Sequence, residues 1–221
     1  MAKKETRTSI EELNESLSSI EQKVENNKKI IVWALAAIVV VAAVIMGYIY
    51  GIRNPNLQNA KNEIGAADIE MFMGNDSVAL AKYEAVASNY SNSPANRANL
   101  NAAIILYQKG KYNEAIEYLK KFDPEGVLVG PASQSLLGDC FVNLKMYDEA
   151  VSSFDKAISL SDNNELYTPL FILKKATVLR ELKKYDEEVK AYETIKNDYP
   201  SFTMNYQIDI DKYLERAKLS K

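Results

Sequence analysis

Three patterns of apolar and polar positions succeed one another along the 221 residues. In the first, Ile10, Leu13, Leu17, Ile20 and Val24 alternate steps of three and four, the seam of a heptad helix. The second is the unbroken run from Ile30 to Ile52, which contains no charged side chain. The third fills the rest of the chain, where apolar residues recur at helical spacing between short breaks carrying Gly, Asn, Lys or Pro. This spacing predicts helices over 58–73, 76–90, 95–109, 112–122, 131–144, 147–160, 166–182, 185–198 and 204–219. Pro94, Pro131 and Pro169 fall near the helix starts, where a missing N–H is harmless.

Within the third pattern a small residue returns in phase. Ala67, Ala103, Gly138 and Ala176 precede Ala79, Ala115, Ala150 and Glu188, respectively, by one constant interval, and the units follow one another at nearly equal steps. The turn and second helix of each unit read GNDSVALAKY from Gly74, GKYNEAIEYL from Gly110, KMYDEAVSSF from Lys145 and KKYDEEVKAY from Lys183. A turn residue is followed by Tyr in the last three units, then by Ala in the first three, and by an aromatic or Leu in all four. Small residues at facing positions let two helices approach closely, and a unit of this size buries its apolar face only against its neighbours.

These motifs, over roughly residues 58 to 200, resemble the tetratricopeptide consensus, whose helix-turn-helix unit is about 34 residues. The resemblance implies an all-α, right-handed solenoid of about four helix pairs, with Asn205 to Ala217 as a terminal capping helix of polar outer face. Unit 1 departs from it in having Asp76 for the turn aromatic, and unit 4 in having Glu188 for the second-helix Ala. Both departures predict looser or more solvated end pairs. The apolar loop centre, Gly126 to Gly130, is expected to fold over the groove.

At 1.5 Å per residue the uncharged run makes about 34 Å of helix, enough for a hydrocarbon core of about 30 Å. Trp33, Tyr48 and Tyr50 stand where interfacial aromatics are expected. A mostly polar stretch, 1–29, precedes the run and no small-x-small cleavage site follows it, so it reads as an uncleaved signal anchor. Lys23, Lys28 and Lys29 precede it while Arg53 stands nearly alone after it, which puts the N-terminus in the cytoplasm and the repeats across the membrane. The resulting division is 1–29 cytoplasmic segment, 30–52 transmembrane anchor and 53–221 periplasmic repeat domain. Arg53-Asn-Pro-Asn56 is expected to break the membrane helix.

Composition narrows the chemistry. With no histidine and one cysteine, the sequence holds no Ser-His or Cys-His nucleophile pair, no His-containing metal site and no intrachain disulfide. Carboxylates follow helix surfaces without metal-loop spacing, and no Gly-rich phosphate cradle occurs, so an enzyme and a cofactor are not expected. Basic and acidic residues nearly balance, 27 against 30, with a slight acidic excess that argues against nucleic acid. Cys140, beside Gly138 and Phe141, reads as a buried, inert thiol.

In the N-terminal segment, Thr8 and Ser9 with Glu11 and Glu12 form a plausible capping box for a short amphipathic helix. Its seam, Ile10, Leu13, Leu17, Ile20 and Val24, either docks a partner helix, or else the helix lies on the membrane surface or frays; Asn27 interrupts the seam. On the array, the concave surface is set by first-helix positions three before, one after and four after the small residue. These are Ile64, Asp68 and Met71; Leu100, Ile104 and Tyr107; Ser135, Asp139 and Val142; and Leu173, Thr177 and Arg180. The Lys/Asn/Arg clamp of chaperone-docking tetratricopeptide domains is absent, because the first unit offers Ile64 and Asp68.

A cytoplasmic stub, one anchor and a four-unit exported array look like the YfgM-type ancillary subunits of the bacterial Sec translocon. That resemblance implies a non-enzymatic adaptor at the bacterial inner membrane. Its partners would be translocon subunits, a periplasmic chaperone and exported client chains. A structural adaptor in another envelope complex is the alternative.

Overall fold

The computed structural model describes the backbone of residues 2–220 and the side chains of residues 14–220. All the regular structure among the described residues is helical. The chain divides into two compact units, Met1–Asn56 and Leu57–Lys221.

The first unit holds α1 (Ala2–Asn26) and α2 (Lys28–Tyr48). Because α1 begins at Ala2, the Thr8–Ser9 box does not start it; Ala, Lys, Glu and Arg upstream are good helix formers and carry the helix past that point. Ile10 and Leu13 lie outside the described side chains, and Leu17, Ile20 and Val24 are exposed. Asn27 makes the joint, its Nδ2 donating to the Lys23 carbonyl at 2.9 Å. No residue of α2 is buried, so an almost wholly apolar surface is left uncovered.

The expected break at 53–56 does not occur. A π-helical turn, Ile49–Arg53, leads directly into α3 (Asn54–Phe72). The Asn54 N–H bonds the Ile49 carbonyl, five residues back, and Pro55 falls in the first turn of α3, where its missing N–H removes little.

In the second unit, first helices α3, α5 (Ser93–Gln108), α7 (Val129–Asn143) and α9 (Tyr167–Glu181) alternate with second helices. The latter are α4 (Asp76–Asn89), α6 (Tyr112–Lys121), α8 (Tyr147–Leu160) and α10 (Tyr185–Asp198). One turn geometry joins every pair: Gly74, Gly110, Lys145 and Lys183 have φ of 78°, 73°, 60° and 57°. The next N–H reaches back five residues, from Asn75 to Glu70, Lys111 to Leu106, Met146 to Phe141 and Lys184 to Leu179, each at 2.9 Å. These are Schellman closures, in which a left-handed residue lets the chain reverse while satisfying a helix-end carbonyl.

The small residues meet as the repeat phase requires. Ala67, Ala79, Ala103, Ala115, Ala150 and Ala176 are fully buried, as is Cys140, and Gly138 is buried with them. Tyr83, Leu119, Phe154 and Tyr192, four residues beyond the second-helix position, are the large side chains of the inter-helix core.

Neither end pair is loose or solvated. In unit 1 the Ala67–Ala79 position is closed, with the Tyr83 hydroxyl donating to Asp68 Oδ1 at 2.7 Å beside it. In unit 4 Glu188 is 0% exposed: its stem packs as the Ala of other units does, and burial drives its carboxyl above the usual range despite the nearby charges of Arg180 and Arg216.

The terminal helix forms in two pieces, α11 (Pro200–Asn205) and α12 (Ile210–Leu219), where one was expected. Gln207 takes a φ of 52°, and the Asp209 side chain caps a fresh helix by accepting from the Lys212 N–H at 3.1 Å. Ile210, Leu214 and Ala217 pack onto Tyr192 and Ile195, while Asp211, Lys212, Glu215 and Lys218 face outward. Tyr206 leaves that stripe and lies exposed against Phe202, ring centroids 4.9 Å apart.

The loop after α6 does not lay its apolar centre over the groove. Val127, Leu128 and Val129 stay exposed, the last already in α7. Asp123 is held by both ends of the Asn96 amide: its N–H donates to Oδ1 at 2.7 Å and its carbonyl accepts from Nδ2 at 3.0 Å.

Candidate partner-binding groove

The first helices run side by side because each second helix returns the chain to the same edge. Their shared face carries the predicted groove positions, with two departures. Ile64 and Ser135 are buried and pack within the array. Asp68, Met71, Leu100, Ile104, Tyr107, Asp139, Val142, Leu173 and Arg180 are half-buried, and Thr177 is exposed.

The polar residues are fixed by neighbours in adjacent repeats. Asp68 Oδ2 accepts from Arg97 at 2.7 Å, tying α3 to α5. Asp139 Oδ2 accepts from Lys174 Nζ at 2.6 Å, and the same ammonium donates to Ser135 Oγ at 3.1 Å, tying α7 to α9. Burial raises the Asp139 carboxyl and the Lys174 ammonium opposes it. Thr177 Oγ1 donates to the Lys174 carbonyl at 2.7 Å, a local bond that leaves its exposed side free of cross-repeat ties.

Between the two ion pairs the surface is apolar. Leu100, Tyr107 and Val142 pack against the core shared by units 2 and 3. Tyr107 meets Tyr112 edge-on, ring centroids 5.6 Å apart at 62°, and burial raises its hydroxyl pKa. Met71 Sδ lies 3.6 Å from the Tyr83 hydroxyl. The groove is therefore an apolar centre flanked by fixed charges, suited to a chain segment with apolar side chains and a polar backbone.

Arg97 and Lys174, which organise this surface, were not among the predicted groove residues. They lie six residues before Ala103 and two before Ala176, so repeat phase alone does not single them out. Their signal was charge complementarity to Asp68 and Asp139 in the preceding unit. Among the described residues no group of three or more His, Cys, Asp or Glu is placed to hold a metal ion.

A regular stack of helix pairs with a mixed concave surface defines the class: a helical scaffold of the kind that generally serves as a protein-interaction adaptor. The tetratricopeptide repeat family matches residues 64–126, 132–164 and 172–201, and the chain is a tetratricopeptide-repeat protein. It is similar to MamA, at 22% identity over 70% of this chain and 93% of that one, with a TM-score of 0.52. It is also similar to YrrB, described as a TPR protein with an unusual peptide-binding site, at 17% identity over 76% of this chain and 89% of that one, with a TM-score of 0.53. A third likeness is to a chain of the APC/C Cut9–Hcn1 hetero-tetramer, at 18% identity over 72% of this chain and 29% of that one, with a TM-score of 0.52. At these identities the likeness is one of fold. No curated protein matches the sequence.

Proposed function

We propose that this chain is a single-pass membrane adaptor that holds protein partners in the first-helix groove at a membrane surface. The observation that carries the reading is the pairing of two features in one chain. One is an apolar helix, Lys28–Tyr48, without a buried residue; the other is a repeat array whose groove has a half-buried apolar centre. A core helix of a soluble protein buries its apolar faces, whereas this one has none buried, as a lipid-facing helix does. The groove centre, Leu100, Ile104, Tyr107 and Val142, offers area without a carboxylate clamp, which favours internal apolar segments over charged chain ends.

The basic flank before the span favours a cytoplasmic N-terminus and an exported array. That arrangement is the one for which the YfgM-type resemblance implies a role beside the bacterial Sec translocon, receiving emerging chains and a periplasmic chaperone. The anchor contributes by confinement: it raises the local concentration of the groove around anything sharing the membrane.

Photo-crosslinking in intact cells from probes at Tyr107 and Val142, followed by mass spectrometry, tests this. Adducts to translocon subunits, a periplasmic chaperone and many exported chains are expected. One dominant stoichiometric envelope partner would replace client handling with a fixed structural role in another complex.

A further inference from the structure

The repeat array has two edges, and they differ in chemistry. The edge made by the turns within units carries Lys109, Lys111, Lys145, Lys183 and Lys184. Its turns are cross-linked to one another, Lys109 Nζ to Ser77 Oγ at 2.8 Å and Lys184 Nζ to Asp148 Oδ1 at 3.2 Å. The other edge is made by the junctions between units, where second helices end and first helices begin. Its junctions also adjoin: the Asn96–Asp123 bonds link the first to the second, and a cleft of ≈ 490 Å³ lined by Tyr90, Asn96, Lys121 and Asp123 lies between them. Further on, Tyr199 donates to Asn163 Oδ1 at 3.5 Å, linking the third to the fourth.

Large apolar side chains are left exposed along this junction edge. Val127 (80% exposed), Leu128 and Val129 stand at the second junction, Leu166 at the third, and Met204 (72% exposed) and Tyr206 at the fourth. On the opposite edge Phe72 (93% exposed) and Met73 at the end of α3 and Met146 in the third turn are also exposed, but there they stand among Lys109, Lys111, Lys145, Lys183 and Lys184. Exposed apolar groups at three successive junctions exceed the scatter of single surface hydrophobics and mark a surface that meets something apolar.

Chain connectivity bears on what it meets. The first helices run parallel, so the N-terminus of α3 lies on the junction edge, and the Tyr90 hydroxyl at the first junction donates to Glu63 of α3 at 2.7 Å. Only residues 53–56 separate Ile52, the last residue of the uncharged run, from Leu57, the first of the array. These residues are helical, from the end of the π-turn into the first turn of α3, and so span only about 7 Å. The lysine edge lies a further first-helix length away, about 24 Å for the 16 residues of α5.

We propose that the junction edge is a membrane-facing surface, with Leu128, Leu166 and Met204 dipping into the lipid interface and the lysine edge directed into the aqueous phase. The proposal rests on the reading of Ile30–Ile52 as a membrane span. Side chains that bury apolar area in a headgroup layer bind it in proportion to that area, and a tethered domain needs only a weak contribution to hold one orientation. Held so, the array lies close against the bilayer and its groove opens along the surface rather than away from it.

The test uses the full chain with Cys140→Ala, reconstituted into phosphatidylcholine/phosphatidylglycerol vesicles, with an environment-sensitive probe on single cysteines at Leu128, Leu166, Lys145 and Ile38. Doxyl-labelled lipids are expected to quench probes at 128, 166 and 38 at least twofold more than the probe at 145. Quenching at 38 with none at 128 or 166 overturns the membrane-facing edge and leaves the span intact, and a protein partner then becomes the occupant to seek. Equal quenching at 128 and 145 overturns the orientation. Absence of quenching at 38 overturns the span reading itself and this proposal with it. A Leu128→Asp, Leu166→Asp variant, carrying its probe at Met204→Cys, is expected to lose the shallow quenching without a change in Tm; retained quenching there also overturns the proposal.

Discussion

Gly138 and Phe154 approach so closely that a Cβ on residue 138 would stand 2.6 Å from the Phe154 ring. Phe154 is 1% exposed in the core between α7 and α8, so a larger side chain at 138 must displace the ring or push the two helices apart. The Gly138→Leu variant is expected to lose about 1 to 3 kcal/mol by overpacking. In a domain of this size that lowers Tm by about 2 to 12 °C, which thermal melting by circular dichroism reads. An unchanged Tm would show that the two helices are not paired through this position.

Lys145 and Lys183 occupy the left-handed turn position that glycine fills in the first two units. A side chain there suffers the Cβ–carbonyl crowding that glycine avoids. Lys145→Gly and Lys183→Gly are each expected to stabilise the array by about 1 kcal/mol, raising Tm by about 2 to 4 °C apiece. The sites lie in different turns, so the double variant is expected to be close to additive.

The buried Glu188 makes stability depend on pH in a definite direction. Burial raises its folded-state pKa above the unfolded value, so the folded protein holds a proton that the unfolded chain releases. Its contribution is most favourable below the unfolded carboxyl pKa and is lost as pH rises through the raised folded value. Glu188→Gln, which keeps the shape and cannot ionise, is therefore expected to have a higher Tm than the native chain at pH 8. The gap should narrow at pH 5. A Glu188→Gln variant less stable at pH 8 would mean that Arg180 and Arg216 outweigh desolvation.

The repeat was legible because its signals are local. A small residue that recurs in register with a second one, as Ala103 does with Ala115, leaves few packings open, and those positions are the buried ones. What the sequence concealed depended on neighbours distant along the chain. Glu188 reads as a solvated residue until α12 and the α9–α10 pair close around it, since a carboxylate in a helical pattern is ordinarily outside. The last helix reads as continuous from 204 because its composition is helical; the left-handed Gln207 and the Asp209 cap that split it are decided by packing of Ile210 against the array. In the groove, repeat phase located the face, whereas the cross-repeat pairs Asp68–Arg97 and Asp139–Lys174 depend on how neighbouring units stack.

Cys140 is fully buried, and burial with the neighbouring Asp139 charge pushes its thiol up to about 12. At pH 8 almost none of it is thiolate, the form that reacts. The native chain is expected to show negligible reaction with a maleimide or an aromatic disulfide reagent over minutes, and one reactive thiol on unfolding in guanidinium. Rapid native labelling would place α7 outside the closed core described for units 2 and 3.

Partner capture depends on whether the apolar centre of the groove is the surface in use. Tyr107 presents part of its ring there and rests the remainder on Tyr112, so Tyr107→Lys places a charge in the centre at modest cost to the fold. Central aromatic anchors typically carry about 2 kcal/mol or more of an interface, so capture of groove-bound partners is expected to weaken about thirtyfold. Thr177→Lys supplies the control within the same face: it is exposed near the far end of the groove, and its replacement loses only a bond to its own helix. If Tyr107→Lys abolishes crosslinks from Val142 while Thr177→Lys weakens them only slightly, recognition centres on units 2 and 3. Equal losses extend the footprint to α9. Undiminished crosslinking in the Tyr107→Lys chain, with its melting curve intact, would move binding off the concave face, leaving the second helices or the anchor to carry it.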